Sequence, residues 1–203
     1  MESTSKNHWE TVYQTKSPSE VSWSQDVPKT SLDFIESFGV SKSAAIIDIG
    51  GGDSKLVDHL LALGYENITV LDISAKAIER ARLRLGSKAE KVTWIVSDII
   101  DFQPIMNYSV WHDRAAFHFL TLDSQKEKYV ELLNQFVDDY LVIGTFSENG
   151  PVKCSGLEIQ QYSIESLEEQ FAPKFEMIES KYEDHQTPFE TIQNFVFGAF
   201  KKK

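Results

Sequence analysis

The chain has 203 residues, one cysteine and a formal net charge of −11. That length fits one α/β domain with a full-sized core, and the charge argues against a general nucleic-acid binder, which neutralises phosphates with clustered Lys and Arg. A lone cysteine excludes an internal disulfide and a Cys-rich zinc site, and no apolar run is long enough to span a bilayer.

Residues 1–30 are polar, carry Trp9, Tyr13 and Trp23, and are broken by Pro18 and Pro28. They read as an arm ahead of a domain over residues 31–203. Met1 to Glu10 has no apolar signal-peptide core, so the cytoplasm is the expected location. Ser31 to Phe38 reads as a short helix. From there strands are expected at 45–49, 68–71, 92–96, 108–113 and 140–145, and helices at 53–63, 75–85, 124–136 and 163–171. Phe175–Tyr182 and Asn194–Lys201 read as two further strands. The last alternates Phe195, Phe197 and Ala199, which predicts a one-sided apolar face. Strands alternating with helices predict a doubly wound, mostly parallel α/β sheet covered on both faces. The histidines show no spacing that suggests a metal site, so no metal is expected.

Ala45 to Ile49 runs straight into Gly50, Gly51 and Gly52 and then into an amphipathic segment. Glycines let the backbone turn sharply and let a ligand approach it. The next apolar run, Ile68 to Leu71, ends in Asp72. A carboxylate at a strand end about 20 residues past a glycine loop is placed to accept the hydroxyls of a ribose. An adenosine-containing cofactor is therefore expected. The dinucleotide fingerprint wants a further glycine where Lys55 stands, and no Gly-Lys-Ser/Thr follows, which excludes a Walker-type phosphate loop. Asp53 occupies the place of a phosphate at a helix start and would repel a diphosphate. It suits a ligand with an ammonium or sulfonium, as S-adenosylmethionine has. An NAD-dependent oxidoreductase remains as an alternative, since it shares the glycine loop and Asp72. A non-catalytic S-adenosylmethionine-binding protein is another.

The run Asp48-Ile49-Gly50-Gly51-Gly52-Asp53-Ser54 resembles the first motif, acid-x-Gly-x-Gly-x-Gly, of the class I S-adenosylmethionine-dependent methyltransferases, with Ser54 in place of the third glycine. The resemblance implies a Rossmann-like sheet of seven strands with the last antiparallel. It implies S-adenosylmethionine as cofactor and S-adenosylhomocysteine as product. The Gly50–Gly52 backbone, with Asp48, would hold the methionine part, Asp72 the ribose, and Ile73 the adenine face. Asp98 would accept a hydrogen bond from the adenine amino group, with Ile99 beside it in the cofactor site.

The segment Trp111-His112-Asp113-Arg114-Ala115-Ala116-Phe117-His118 follows the fourth strand, where this family places residues that face the methyl group and the acceptor. It lacks Asn/Asp-Pro-Pro-Tyr. It resembles the Asp-Arg/Lys-small pattern of a subgroup that includes the citrate synthase lysine methyltransferase and thiol or small-molecule enzymes. Trp9, Tyr13 and Trp23 resemble that subgroup's opening aromatic segment, which folds over the cofactor. Aromatic faces attract a sulfonium and a closed lid excludes water. Asp113 is then expected beside cofactor and acceptor, and His118 as a general base. Each has a plain structural alternative: Asp113 in an ion pair, His118 as a satisfied core histidine. The expected partner is a small molecule or a protein lysine as methyl acceptor, with no nucleic acid and no membrane, and the chain a monomer or homodimer. Cys154 reads as a small pocket-lining or core residue.

Overall fold

The structure, a computed structural model, describes residues 4–203. It opens on helix α1 (Thr4–Thr15), where the sequence marks only an arm, and continues with α2 (Lys29–Ser37). Then come β1 (Ala45–Ile49), α3 (Leu56–Ala62), β2 (Asn67–Asp72), α4 (Ala75–Leu85), β3 (Val92–Val96) and β4 (Tyr108–Arg114). The second half runs α5 (Asp123–Phe136), β5 (Val137–Phe146), a short hairpin of β6 (Lys153–Cys154) and β7 (Leu157–Glu158), α6 (Ile164–Phe171), β8 (Phe175–Gln186) and β9 (Ile192–Lys202). The sheet has seven strands in the order β3-β2-β1-β4-β5-β9-β8. Strands β1 to β5 pair in parallel, and β9 runs antiparallel to both neighbours.

Both faces of the central strands are apolar because helices cover both. Ile46, Val70 and Val110 pack on one face with Leu32 and Ile35 of α2 and Leu56 and Leu60 of α3. Ile47, Ile49 and Trp111 pack on the other with Tyr129 and Leu133 of α5 and Leu167 and Phe171 of α6. Each such side chain withdrawn from water contributes about 1.5–3 kcal/mol before entropy is charged against it.

Three expectations are corrected. The helix drawn from residue 53 starts at Leu56, because Gly51 to Lys55 stay in the loop, closed by a Ser54 amide to Gly51 carbonyl bond of 2.7 Å. Strand β5 begins directly after α5, with no intervening loop. Strand β9 is not one-sided. Phe195, Phe197 and Ala199 are buried on one face and Val196 and Phe200 on the other, since β9 lies inside the sheet between β5 and β8. The strand order reverses between β1 and β4, and the loops leaving those two strands meet there, the place where open sheets bind ligands.

Candidate functional site

The glycine loop is shaped by what stands around it. Gly50 has φ +65°, and a Cβ there would meet the Ala116 methyl at 2.9 Å. The turn after β4 therefore rests directly on the turn after β1. A Cβ on Gly52 would collide with the Asp72 carboxylate and approach the Ala77 methyl at 2.7 Å. Beneath Gly51 lies the buried Asp48, its Oδ1 2.7 Å from His112 Nδ1. His112 Nε2 is 2.8 Å from Ser31 Oγ, so α2, β4 and the loop are tied together from below. Asp48 Oδ2 has no hydrogen-bond partner among the described residues. Asp53 is not free to meet a ligand cation. Arg84 Nη1 lies 2.6 Å from its Oδ1 and Arg80 3.6 Å from its Oδ2. Two guanidiniums from α4 hold that carboxylate, which corrects the reading of Asp53 as a ligand contact and makes it a staple of the loop.

Asp72 ends β2 with only 5% exposure. Its Oδ1 accepts the Ser74 amide at 2.7 Å. Burial pushes its pKa up to about 7; the Ser74 and Gly52 amides oppose the rise, and the charges of Asp48 and Glu10 add to it. Asp72, Ile73, Asp98 and Ile99 line a cleft with about 940 Å³ of free space, its open mouth included. Gly50, Leu71, Ala116, Arg114, Phe119 and Cys154 line it as well.

Helix α1 and the chain after it form the cover. Trp9, Tyr13 and Trp23 all line the cleft. Trp9 stands 5.6 Å from Trp23 and 5.2 Å from Phe119, ring centre to ring centre, and Tyr13 stands 6.3 Å from Trp9. The helix is fastened by Glu10. Its Oε1 accepts the Ala75 amide at 2.8 Å, and its Oε2 accepts the Ser74 hydroxyl at 2.9 Å and the Lys76 amide at 3.1 Å. These are first-turn donors of α4, which have no partner within their own helix. Burial raises the Glu10 pKa, but the three donors outweigh it and the net direction is down. Glu10 was not singled out from the sequence. An acid so far ahead of the glycine loop in the chain carries no signal until α1 is laid across α4.

The two residues expected to be catalytic stand elsewhere. Asp113 is fully buried on the α5 side of the sheet. Its Oδ1 accepts the Ala116 and Phe117 amides at 3.0 Å each, and its Oδ2 accepts the Tyr129 hydroxyl at 2.8 Å. It does not line the cleft and instead shapes the turn that carries Ala116. Burial raises its pKa to about 6 against those hydrogen bonds. His118 is also fully buried and off the cleft. Burial, with the Arg114 charge behind it, pushes its pKa down to about 3, so it stays neutral and too weak to serve as a base. The β4 pleat decides the first: Asp113 faces α5, whereas Arg114, one residue on, faces the cleft. Cys154 does line the cleft, but burial pushes its thiol up to about 12, which leaves no thiolate for nucleophilic chemistry. Among the described residues no cluster of His, Cys, Asp or Glu is arranged to hold a metal ion, and no helix is long and apolar enough to cross a membrane.

Residues 46–136, from β1 to the end of α5, match the family model described as methyltransferase domain. No curated protein matches the sequence. Solved structures share the fold over almost the whole chain. One, from a study of the conversion of a disulfide bond into a thioacetal group during echinomycin biosynthesis, superposes with a TM-score of 0.77 at 18% identity, covering 98% of this chain and 93% of that one. A SAM-dependent methyltransferase from Anabaena variabilis superposes with 0.76 at 14% identity, over 100% and 96% of the two chains. The 1,6-didemethyltoxoflavin-N1-methyltransferase of Burkholderia thailandensis, solved with its substrate and S-adenosylhomocysteine, superposes with 0.70 at 15% identity, over 98% and 84%. At these identities the likeness is one of fold.

Proposed function

We infer, from a methyltransferase domain over residues 46–136 set in this fold, that the protein is an S-adenosylmethionine-dependent methyltransferase acting on a small molecule. The observation that carries the reading is the cleft itself. A buried carboxylate at the end of β2, a second acid at Asp98 and a glycine loop that would clash with any side chain at Gly52 stand on one cavity. Those residues fit the cofactor. Asp72 would accept the ribose hydroxyls, Asp98 the adenine amino group, and Ile73 and Ile99 would sandwich the base. The Gly50–Gly51 backbone would lie along the methionine chain, with Asp48 beneath it. When bound, the cofactor supplies a methyl group on a sulfonium, displaced in line by the acceptor's lone pair while the C–S electron pair returns to sulfur.

The chain's own contribution is positioning and a dry, electron-rich surround. The faces of Trp9, Tyr13 and Trp23 favour the sulfonium cation over its neutral product. With α1 fastened by Glu10, they also shut out water and hold the acceptor at bonding distance. Residues 4–30 act as a lid over residues 31–203. No side chain in the cleft is placed as a strong base, which suits an acceptor whose proton leaves to solvent as or after the new bond forms. Three bulky aromatic rings over the cleft favour a small acceptor over a lysine presented by a folded protein. The subgroup resemblance then rests on Trp9 and Tyr13 alone, since Asp113 lies off the cleft. A free buried Cys154 is in keeping with a cytoplasmic location.

The test is calorimetric titration with S-adenosylhomocysteine and, separately, with NAD. Binding of S-adenosylhomocysteine alone is expected, with Asp72→Ala weakening it strongly. NAD binding in its place, or affinity unchanged in Asp72→Ala, removes the reading. Bound cofactor without turnover of any thiol or amine acceptor would reduce the protein to a binding module.

A further inference from the structure

The cleft is acidic except at one point. Asp72 and Asp98 stand on it, and Arg114 is the only Lys or Arg among the described residues that line it. Its guanidinium is incompletely paired. Nη1 donates to the Trp23 carbonyl at 3.0 Å, while Nε and Nη2 are sealed from solvent and have no hydrogen-bond partner. A buried donor left unpaired is costly, more so when charged, and native structures rarely keep one. The Glu183 charge acts on Arg114 from nearby, but its oxygens accept from Thr30 and, at 3.5 Å, from Gln25, and make no hydrogen bond to the guanidinium.

Arg114 reaches toward β9, and it also lines a space beside the glycine loop with Asp48, Gly50 and Gly51. Its guanidinium lies 4.7 Å over the ring of Phe195 on β9. In the sheet order, β5 and β9 lie on the side of β4 away from β1 and β2, where the glycine loop and Asp72 stand. The charge stays within one Arg side chain of β4, and Cys154 and Phe119 line the same cleft.

We propose that Arg114 receives the carboxylate of the methyl acceptor, and that the protein methylates small organic acids on a thiol or amine elsewhere in the molecule. This rests on the methyltransferase reading above. A guanidinium offers Nε and Nη2 as a planar pair that matches the two oxygens of a carboxylate. The carboxylate is the handle and not the methylated atom, because two charge-assisted hydrogen bonds withdraw the electron density that attack would need. A lysine acceptor is disfavoured by the same charge, since its ammonium would enter beside a fixed cation. The Trp23 carbonyl bond means that opening the segment around Trp23 frees Arg114 as the site admits its ligand. The methyl group leaves sulfur for the acceptor's S or N lone pair, the C–S pair stays with S-adenosylhomocysteine, and the displaced S–H or N–H proton goes to solvent.

The experiment begins by saturating the protein with S-adenosylhomocysteine. Failure at this step removes the methyltransferase reading itself. The complex is then titrated calorimetrically with small mercapto- and amino-carboxylic acids, each paired with its primary amide. The same pairs are offered as acceptors with S-adenosylmethionine. At least one acid is expected to bind and turn over about 10- to 100-fold better than its amide, the range of one charge-assisted contact. Arg114→Gln should erase that difference while leaving S-adenosylhomocysteine affinity in place, and Arg114→Lys should restore part of it. The acid–amide comparison needs only the wild-type chain, so it stands if a variant fails to fold. Amides used as well as acids, or no acid binding at millimolar concentration, overturns the proposal. So does loss of S-adenosylhomocysteine but not methylthioadenosine binding in Arg114→Gln, which would assign the guanidinium to the cofactor's own carboxylate.

Discussion

Glu10→Ala isolates the fastening of the lid. The carboxylate receives the Ala75 and Lys76 amides and the Ser74 hydroxyl at 2.8–3.1 Å, all at the first turn of α4. A side-chain cap on a helix N-terminus contributes about 0.5–2 kcal/mol, and a negative charge there a further 0.3–1 kcal/mol. Losing both should cost roughly 1–3 kcal/mol of docking, or about 5- to 150-fold in the ratio of closed to open arm. Hydrogen exchange over Thr4–Thr15 reads that ratio directly, and S-adenosylhomocysteine affinity should fall by no more than the same factor. Glu10→Gln, which keeps one acceptor oxygen and loses the charge, should lie between. The effect also has a pH signature. Glu10 has a lowered pKa in the folded chain, so its contribution is complete above the ordinary carboxylate range and is lost as pH falls through the depressed value. Exchange at α1 unchanged in Glu10→Ala, with affinity inside twofold of wild type, would refute the view that this carboxylate closes the site.

Other consequences are separately measurable. Asp72 carries a pKa raised to about 7, and its ionised form accepts ribose hydroxyls best. S-adenosylhomocysteine binding should therefore release a proton and weaken by up to about tenfold per pH unit below 7, and Asp72→Asn should flatten the profile. The sign for stability is opposite. The unfolded carboxyl ionises near its ordinary value, so this group favours folding at low pH and costs stability as pH rises toward 7. Melting of the ligand-free protein across pH 5 to 8 checks that, after allowance for other groups. Gly52→Ala should force the loop off Asp72, costing about 1–3 kcal/mol and most of the cofactor affinity; a variant that binds normally would show that the loop yields. Tyr129→Phe leaves Asp113 Oδ2 and Trp111 Nε1 without their partner and should lower stability by about 1–3 kcal/mol with cofactor affinity unchanged. A large loss of affinity without loss of stability would return Asp113 to the site.

The sequence by itself determined the fold class and marked the residues that gather around the glycine loop on one cleft. Apolar runs such as Ile46–Ile47 and Val70–Leu71, spaced by amphipathic helices, admit little besides a sheet covered on both faces, because each strand must bury both sides. Gly50 to Gly52 and Asp72 were legible because the backbone geometry they demand is local and the loop-to-acid spacing is set by one crossover unit. The tertiary structure decided what local patterns do not encode. Asp113 and Arg114 are adjacent and both charged, yet the pleat of β4 sends one into the α5 core and the other into the cleft. Asp53 is a plausible ligand contact until Arg84, a whole crossover unit away near the end of α4, pairs with it. His118 reads as a base until packing strips it of water and holds it neutral. Glu10 acquires its role only when α1 crosses the start of α4, a contact between segments more than 60 residues apart in the chain. Residue type and spacing report chemistry that is built within one element or one turn. Which face a side chain takes, and which distant charge it meets, is settled by how the layers pack.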